Sequence, residues 1–187
     1  MEFKEMNVTL KNGKNCLIRS PKQKDAKELL YHIIKTCDET NYLSRYGEEI
    51  TFTVEQEEDF LKNILESSKD MMICVEMDGK VIANAGFGPV SSFMRNKHRA
   101  TFGISIQKAY WNMGIGSILI PAIIDSAKKA GYELLELEVI AENKRACHLY
   151  EKYGFQTYGT RRNAFKYKDG TYADEYLMML ELMDSPK

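Results

Sequence analysis

Two glycines, Gly114 and Gly116, follow an apolar run that ends at Ile106 and precede a segment with helical periodicity. Glycine has no Cβ, and a helix N-terminus presents N–H groups together with the positive end of the helix dipole. A turn of this kind therefore lets an anionic group approach the backbone closely. The same pattern also fits a tight strand-to-helix turn that binds no ligand.

Two families of nucleotide-binding motif can be tested against these glycines. A dinucleotide fingerprint needs a third glycine, where this chain has Leu119, and it places its glycines directly after the strand. A Walker A loop needs lysine before the Ser or Thr, but Gly116 is followed directly by Ser117. Both motifs agree poorly with the sequence.

A second group of residues, Asn143, Ala146, Cys147 and Tyr150, has the spacing i, i+3, i+4 and i+7, which places all four on one face of a helix. The small residue between the amide and the phenol leaves room for a thin ligand along that face. The alternative is that Tyr150 is an amphipathic tyrosine of the core.

Taken together, the two motifs resemble those of the GNAT superfamily of acetyl-CoA-dependent N-acetyltransferases. Gly114-Ile115-Gly116 matches the R/Q-x-x-G-x-G/A loop of that superfamily. The second motif is matched at nearly every position by Asn143-x-x-Ala146-x-x-Leu149-Tyr150-Glu151-Lys152-x-Gly154-Phe155. One departure is Trp111, which stands where the superfamily has Arg or Gln, so the resemblance implies that the cofactor binds mainly through the N–H groups of residues 112–117.

The resemblance implies an enzyme that transfers the acetyl group of acetyl-CoA to a primary amine by direct attack, without a metal. The pantetheine arm is expected to pair with the strand before the loop, where a backbone N–H polarises the thioester carbonyl. Tyr150 is expected to protonate the departing CoA thiolate, and Asn143 to hold the pantetheine or an ordered water. The implied cofactor-binding residues are Ile104, Ser105, Ile106, Trp111, Asn112, Met113, Gly114, Ile115, Gly116, Ser117, Asn143, Ala146, Tyr150 and Lys152.

A general base and an acceptor site are also required. Glu136 and Glu138 lie on one face of a predicted strand, and Glu138 is the candidate base, although an exposed or ion-paired glutamate is the alternative. Glu39 and Tyr42, in an acidic stretch that borders the acceptor site in similar enzymes, are the candidate substrate residues. The acceptor could be a protein N-terminal amine, a lysine, a polyamine, an amino acid or an antibiotic amine.

Two other functions stay open at this point. One is a catalytically idle CoA-binding regulatory module that kept the phosphate turn, and the other is a nucleotide-binding oxidoreductase. A homodimer is expected from the resemblance alone.

The elements that position these residues follow from periodicity and turn residues. Asp78-Gly79 predicts a hairpin, Thr53 and Gln56 form a capping box, and Gly131 is a typical residue after a helix end. Ser20 is expected to cap a helix that begins at Pro21. Predicted strands cover 15–19, 71–77, 81–87, 100–106, 134–140, 155–168 and 171–182, and predicted helices begin near residues 21, 54, 114 and 143. In the helix after Thr53, the predicted inner face consists of Phe60, Leu61, Ile64 and Leu65.

This order predicts a mixed α/β fold, a GNAT fold with a central mixed, largely antiparallel sheet of about six to seven strands flanked by helices. With 187 residues, 44% of them hydrophobic and 28% charged, we expect one domain over residues 1–187. The formal net charge of -1 argues against nucleic acid as a partner. No long apolar run or signal peptide is present, which predicts a cytoplasmic protein with no membrane partner. The four cysteines are too widely spaced for a metal knuckle and are expected to be free thiols.

Overall fold

Eight strands and four α-helices are formed by the residues that the computed structural model describes, residues 1–183. The strands are β1 (Met6–Thr9), β2 (Asn15–Arg19), β3 (Met71–Met77), β4 (Lys80–Pro89), β5 (Arg99–Ile106), β6 (Leu134–Ile140), β7 (Gln156–Lys166) and β8 (Tyr172–Glu181). The helices are α1 (Ala26–Glu39), α2 (Val54–Glu66), α3 (Ile115–Lys129) and α4 (Lys144–Lys152).

The chain divides into two units. The first consists of Met1–Gly88 and Gly103–Leu119, and the second consists of Pro89–Phe102 with the described residues from Ile120 onward. The single domain expected over residues 1–187 stays a prediction, and its residues 184–187 lie outside the described part of the chain.

In the first unit, β1, β2, β3 and β4 pair in sequence order, each antiparallel to the next. The turn between β3 and β4 is the predicted Asp78-Gly79 pair, and both residues have positive φ, 52° and 74°. A two-residue turn with this backbone matches the twist of the strands that it joins. A buried apolar cluster packs in this unit, formed by Ala26, Leu29, Leu61, Cys74 and Val81.

In the second unit, the beginning of β5 runs parallel to β6, with Arg99 opposite Leu134 and Thr101 opposite Glu136. β8 pairs antiparallel with β6 on one side and with β7 on the other. The complete strand order is β1-β2-β3-β4-β5-β6-β8-β7. This is a mixed α/β fold with a mostly antiparallel sheet, which confirms the predicted fold class.

The sheet has one strand more than the six to seven expected, because β1 was not predicted. β1 has only four residues, mostly exposed, and its described pairing is with β2. Such a strand has no apolar alternation that could reveal it in the sequence.

The predicted start of the first helix is wrong. α1 begins at Ala26 after a single 3₁₀ turn, Gln23–Asp25. The Ser20 hydroxyl accepts a hydrogen bond from the Phe3 N–H at 2.9 Å and does not cap a helix at Pro21. Asp25 instead holds this turn, because its carboxylate accepts from Arg19 at 2.7 and 2.9 Å and from the Lys22 N–H at 2.7 Å.

The capping box of α2 is confirmed. The Thr53 hydroxyl accepts from the Gln56 N–H at 3.2 Å, and the Gln56 side chain accepts from the Thr53 N–H at 2.9 Å. Its predicted inner face is only partly correct, since Leu61 is buried but Phe60 is exposed. All four cysteines are free and buried, as expected. Within residues 1–183, no helix is long and apolar enough to cross a membrane.

Candidate functional site

The predicted phosphate turn lies in the first unit, after β5. A 3₁₀ turn, Lys108–Tyr110, follows the strand, and α3 then begins at Ile115. Asn112 and Gly114 both have left-handed backbone, with φ of 65° and 88°, and this reverses the chain before the helix. The first turn of an α-helix presents N–H groups that no carbonyl of the helix accepts. The arrangement can therefore donate backbone hydrogen bonds to an anion from Ile115 and Gly116.

Trp111 does not replace the charge or the hydrogen bonds of the Arg or Gln expected at its position. Its indole N–H donates to the Ile106 carbonyl at 2.8 Å, so the side chain links the loop to the end of β5. Indole has a single donor and no charge. This residue therefore shapes the loop without supplying a cation to it.

A buried polar network that sequence reasoning missed surrounds the end of β5. The Gln107 amide nitrogen donates to the Val81 carbonyl at 2.9 Å and faces His32 Nδ1 at 3.3 Å. On the other side of the ring, His32 Nε2 lies 2.7 Å from the Ser105 hydroxyl, which donates to the Asn84 side-chain oxygen.

The directions of these hydrogen bonds fix the state of the imidazole. An amide NH₂ group only donates, so His32 Nδ1 accepts from Gln107, and the proton of a neutral ring lies on Nε2, which donates to Ser105. Burial lowers the pKa of His32 to about 4, in agreement with a neutral ring. The network orients Ser105 and Gln107, the two residues on either side of Ile106.

The acidic stretch that begins in the last turn of α1 was expected to border the acceptor site, but several of its carboxylates bind backbone N–H groups. Glu39 accepts from the Lys108 N–H at 2.6 Å, Asp38 from the Gly47 N–H at 3.2 Å and Glu49 from the Tyr46 N–H at 2.7 Å. Tyr42 is half-buried. Glu39 thereby ties the end of α1 to the turn that leads into the phosphate loop.

The second unit contains the predicted helix face. Asn143 is the N-cap of α4, and its side-chain oxygen accepts from the Ala146 N–H at 3.3 Å. Cys147 and Tyr150 on the same face are buried, whereas Asn143 and Ala146 are half-buried. Lys152 is exposed, with its ammonium 5.5 Å from the centre of the Tyr153 ring.

The Tyr150 ring packs against two other aromatic rings. Its centroid lies 6.0 Å from that of Phe102 and 5.9 Å from that of Phe155, and both contacts are edge-to-face. Burial, with a smaller contribution from Cys147, raises the pKa of the Tyr150 phenol above its ordinary value. The phenol therefore stays protonated at neutral pH, and burial makes it a weaker acid than an exposed tyrosine.

The two candidate bases on β6 are both ion-paired. Glu136 accepts from the Arg99 guanidinium, with one contact of 2.8 Å, and Glu138 accepts from Arg161 at 3.0 Å. The side chain of Glu138 is about half exposed and that of Glu136 is largely covered. Of the two, Glu138 is therefore the more accessible carboxylate.

Comparisons with known proteins agree with these motifs. The acetyltransferase (GNAT) family matches residues 27–155. The L-amino acid N-acetyltransferase AaaT of Escherichia coli is 31% identical over 111 residues, which are 59% of this chain and 66% of that protein. The [ribosomal protein bS18]-alanine N-acetyltransferase of Escherichia coli is 37% identical over 81 residues, 43% of this chain and 54% of that protein. The matched part thus covers less than two thirds of either relative.

Solved structures show the same fold. A GNAT-family acetyltransferase from Streptococcus pneumoniae superposes with a TM-score of 0.85 and 32% identity, covering 89% of this chain and 99% of that one. The yncA protein of Salmonella typhimurium, solved with its cofactor acetyl-CoA, has a TM-score of 0.80 at 18% identity, covering 93% and 98%. The match over residues 27–155 takes in more than half of the sequence, and the chain therefore belongs to the acetyltransferase (GNAT) family.

Proposed function

We propose that the protein transfers the acetyl group of acetyl-CoA to a primary amine by direct attack of the amine on the thioester. The observation that carries the proposal is the start of α3 at Gly114-Ile115-Gly116, in a chain that belongs to this family. When bound, acetyl-CoA supplies the activated acetyl group. All other steps are assigned to side chains and backbone groups of the protein.

The loop is suited to hold the phosphates of CoA. Gly114 has φ of +88°, which a residue with a side chain rarely adopts, and the dipole of α3 favours an anion at its first turn. The proposed phosphate donors are the backbone N–H groups of residues 112–117. Trp111, Asn112 and Met113 contribute by shaping the loop.

The end of β5 is suited to hold an extended ligand arm. The ladder that joins β5 to β6 consists of Arg99–Thr101 with Leu134–Glu136, and β5 continues beyond it to Ile106. The backbone of Ile104–Ile106 is thus the segment on which we propose that pantetheine adds as a strand. The His32 network keeps this segment oriented, and a backbone N–H there polarises the carbonyl that the amine attacks.

Two side chains of the second unit are proposed to move protons. Tyr150, whose phenol is protonated at neutral pH, donates to the leaving CoA thiolate. Glu138 takes a proton from the attacking amine, directly or through a water molecule. Asn143 caps α4 through its oxygen, so its NH₂ group is the part that can donate to pantetheine or to an ordered water.

The relatives favour an acceptor amine on an amino acid or a protein, since one is named for L-amino acids and another for an alanine of ribosomal protein bS18. We propose the same class here, with Glu39 and Tyr42 at its border. Because Glu39 already accepts from the Lys108 N–H, we assign it the positioning of this border.

A thiol-release assay with acetyl-CoA over a panel of amines tests the proposal. The panel contains free amino acids, peptides with a free N-terminus, lysine peptides and polyamines. Turnover with any of them supports the acetyltransferase. Tight CoA binding without turnover would point to an idle CoA-binding module, and binding of NAD(P) but not CoA would contradict the proposal altogether.

A further inference from the structure

The turn between β1 and β2 packs on the phosphate loop. The turn is closed by the Leu10 N–H donating to the Lys14 carbonyl at 2.8 Å. From it, the Lys11 N–H donates to the Met113 carbonyl at 3.3 Å, and the Asn12 amide donates to the Met113 sulfur at 3.2 Å. The strand β1, which the sequence did not predict, therefore places the β1–β2 turn against the phosphate loop.

The side chain of Lys11 runs along Gly114. Its Cγ and Cε atoms both lie 3.4 Å from the position that a Cβ on Gly114 would occupy, and its Cδ atom lies at 3.6 Å. The ammonium group is one bond beyond Cε and therefore lies near Gly114, the residue that directly precedes α3. Across residues 1–183, no carboxylate forms an ion pair with this ammonium.

The loop itself has no cation. Residues 111–117 are Trp-Asn-Met-Gly-Ile-Gly-Ser, and the Trp111 indole N–H donates to the Ile106 carbonyl. A loop that binds a doubly charged pyrophosphate through N–H groups alone leaves much of that charge without a counter-ion. A lysine that lies against the loop without an acidic partner meets this need.

We propose that Lys11 is a CoA-binding residue whose ammonium contacts the pyrophosphate and supplies the charge that Trp111 lacks. The inference rests on the proposed function, because it requires that the loop bind CoA. It assigns a binding role to the β1–β2 turn, which lies outside the matched family region of residues 27–155.

The test is calorimetric titration of CoA, 3′-dephospho-CoA and pantetheine into wild-type protein and three variants. Lys11→Met keeps the aliphatic stem beside Gly114 and removes the charge. We expect it to bind CoA and 3′-dephospho-CoA about tenfold more weakly, and pantetheine as wild type does. Lys11→Arg should restore most of the affinity, and Lys14→Met, an exposed lysine of the same turn, is the matched control.

Salt gives a second measurement. Raising the ionic strength screens an exposed charge, so the difference between wild type and Lys11→Met should shrink in 1 M salt, where the Debye length is about 3 Å. Thermal melting of each variant checks that the hairpin still folds.

The possible failures can be distinguished. If the wild type does not bind CoA, the proposed function fails. If the wild type binds CoA and Lys11→Met binds it equally well, only the role of Lys11 is overturned. A loss seen with CoA but absent with 3′-dephospho-CoA would place Lys11 on the 3′-phosphate and overturn the assignment to the pyrophosphate.

Discussion

Arg161 donates to Glu138 at 3.0 Å from one terminal nitrogen and to Glu175 from the other. Glu175 is buried, and burial followed by the nearby charge of Glu138 raises the pKa of its carboxyl, although Arg161 opposes the shift. One guanidinium therefore orients two carboxylates of neighbouring strands. Glu138 is the one of the two whose side chain remains about half exposed.

The first prediction concerns Glu138→Gln. If Glu138 removes the proton from the amine, the variant should lose about 10²-fold or more in kcat/KM at neutral pH, because the glutamine amide cannot accept that proton. The deficit should shrink as the pH rises toward the pKa of the acceptor, since a neutral amine needs no base. Steady-state rates over a range of pH measure both effects.

Glu136→Gln is the matched control, two residues away on the same strand face. Its carboxylate is held by Arg99 and is largely covered, so we expect rates close to wild type with some loss of stability. A larger rate loss in Glu136→Gln than in Glu138→Gln would transfer the role of base to Glu136.

The second prediction concerns Tyr150→Phe. The ring contacts with Phe102 and Phe155 do not need the hydroxyl, so folding and CoA affinity should be preserved. The chemical step should slow by about 10²–10⁴-fold, because the proton donor is lost. Single-turnover kinetics and CoA titration separate the two quantities.

Tyr153→Phe, at the C-cap of the same helix, serves as the internal control and should be mild in both measurements. A core role for Tyr150 gives the opposite pattern, with changed stability and nearly intact turnover. Wild-type turnover of Tyr150→Phe, under conditions where chemistry limits the rate, would falsify the assignment of the acid.

The third prediction concerns Gly116, the second residue of α3. Gly116→Val adds a branched side chain where a phosphate would approach the backbone, so CoA affinity should fall at least tenfold, about 1.4 kcal/mol or more. Calorimetry on variants with an intact circular dichroism spectrum is the measurement.

Gly116 is buried, so valine could also lower stability. Gly116→Ala, a smaller change in the same helix position, keeps the prediction testable, and we expect an intermediate loss of affinity. Unchanged affinity in both variants would remove this loop from the site.

The parts of the fold that the sequence predicted are those that local residues decide. Asp78 and Gly79 form a turn because both tolerate positive φ, and Thr53 caps α2 because its hydroxyl reaches a backbone N–H three residues on. The motif that begins at Asn143 likewise consists of residues close together in the sequence. These features need no knowledge of distant contacts.

The parts that were missed depend on residues far apart in the chain. His32 meets Ser105 and Gln107 across more than 70 positions, and nothing in the sequence around His32 indicates that contact. The sequence does indicate that His32 lies on the apolar face of α1, one turn after Leu29, but it does not indicate which residues the ring contacts. The start of α1 was also predicted incorrectly. It is stabilised by Asp25 and not by the predicted Ser20, because Arg19 pairs with the Asp25 carboxylate.

The last prediction concerns the pH dependence of stability. The pKa of His32 is about 4 in the folded protein, against about 6.5 in an unfolded chain, because burial disfavours the charged ring. Between pH 4 and 6.5, the His32 ring is therefore protonated in the unfolded state and neutral in the folded state. The contribution of His32 to stability is therefore complete above pH 6.5 and is lost as the pH falls toward 4. The His32 contribution, measured by urea unfolding as the difference between wild type and a variant without this histidine, should fall by about 2 to 3 kcal/mol between pH 7 and 4.5.

A variant without this titration isolates the effect. His32→Gln should be less stable than wild type at pH 7, because the network around Ser105 is disturbed, but its stability should change less between pH 7 and 4.5. His148→Gln, at an exposed histidine, is the matched control. The pKa of Asp25, lowered by its hydrogen bonds with Arg19 and Lys22 despite its burial, places its own loss of stability at lower pH, outside this window. Equal pH dependence in wild type and His32→Gln would show that folding does not shift the pKa of His32, and the burial of a neutral ring in this network would then be wrong.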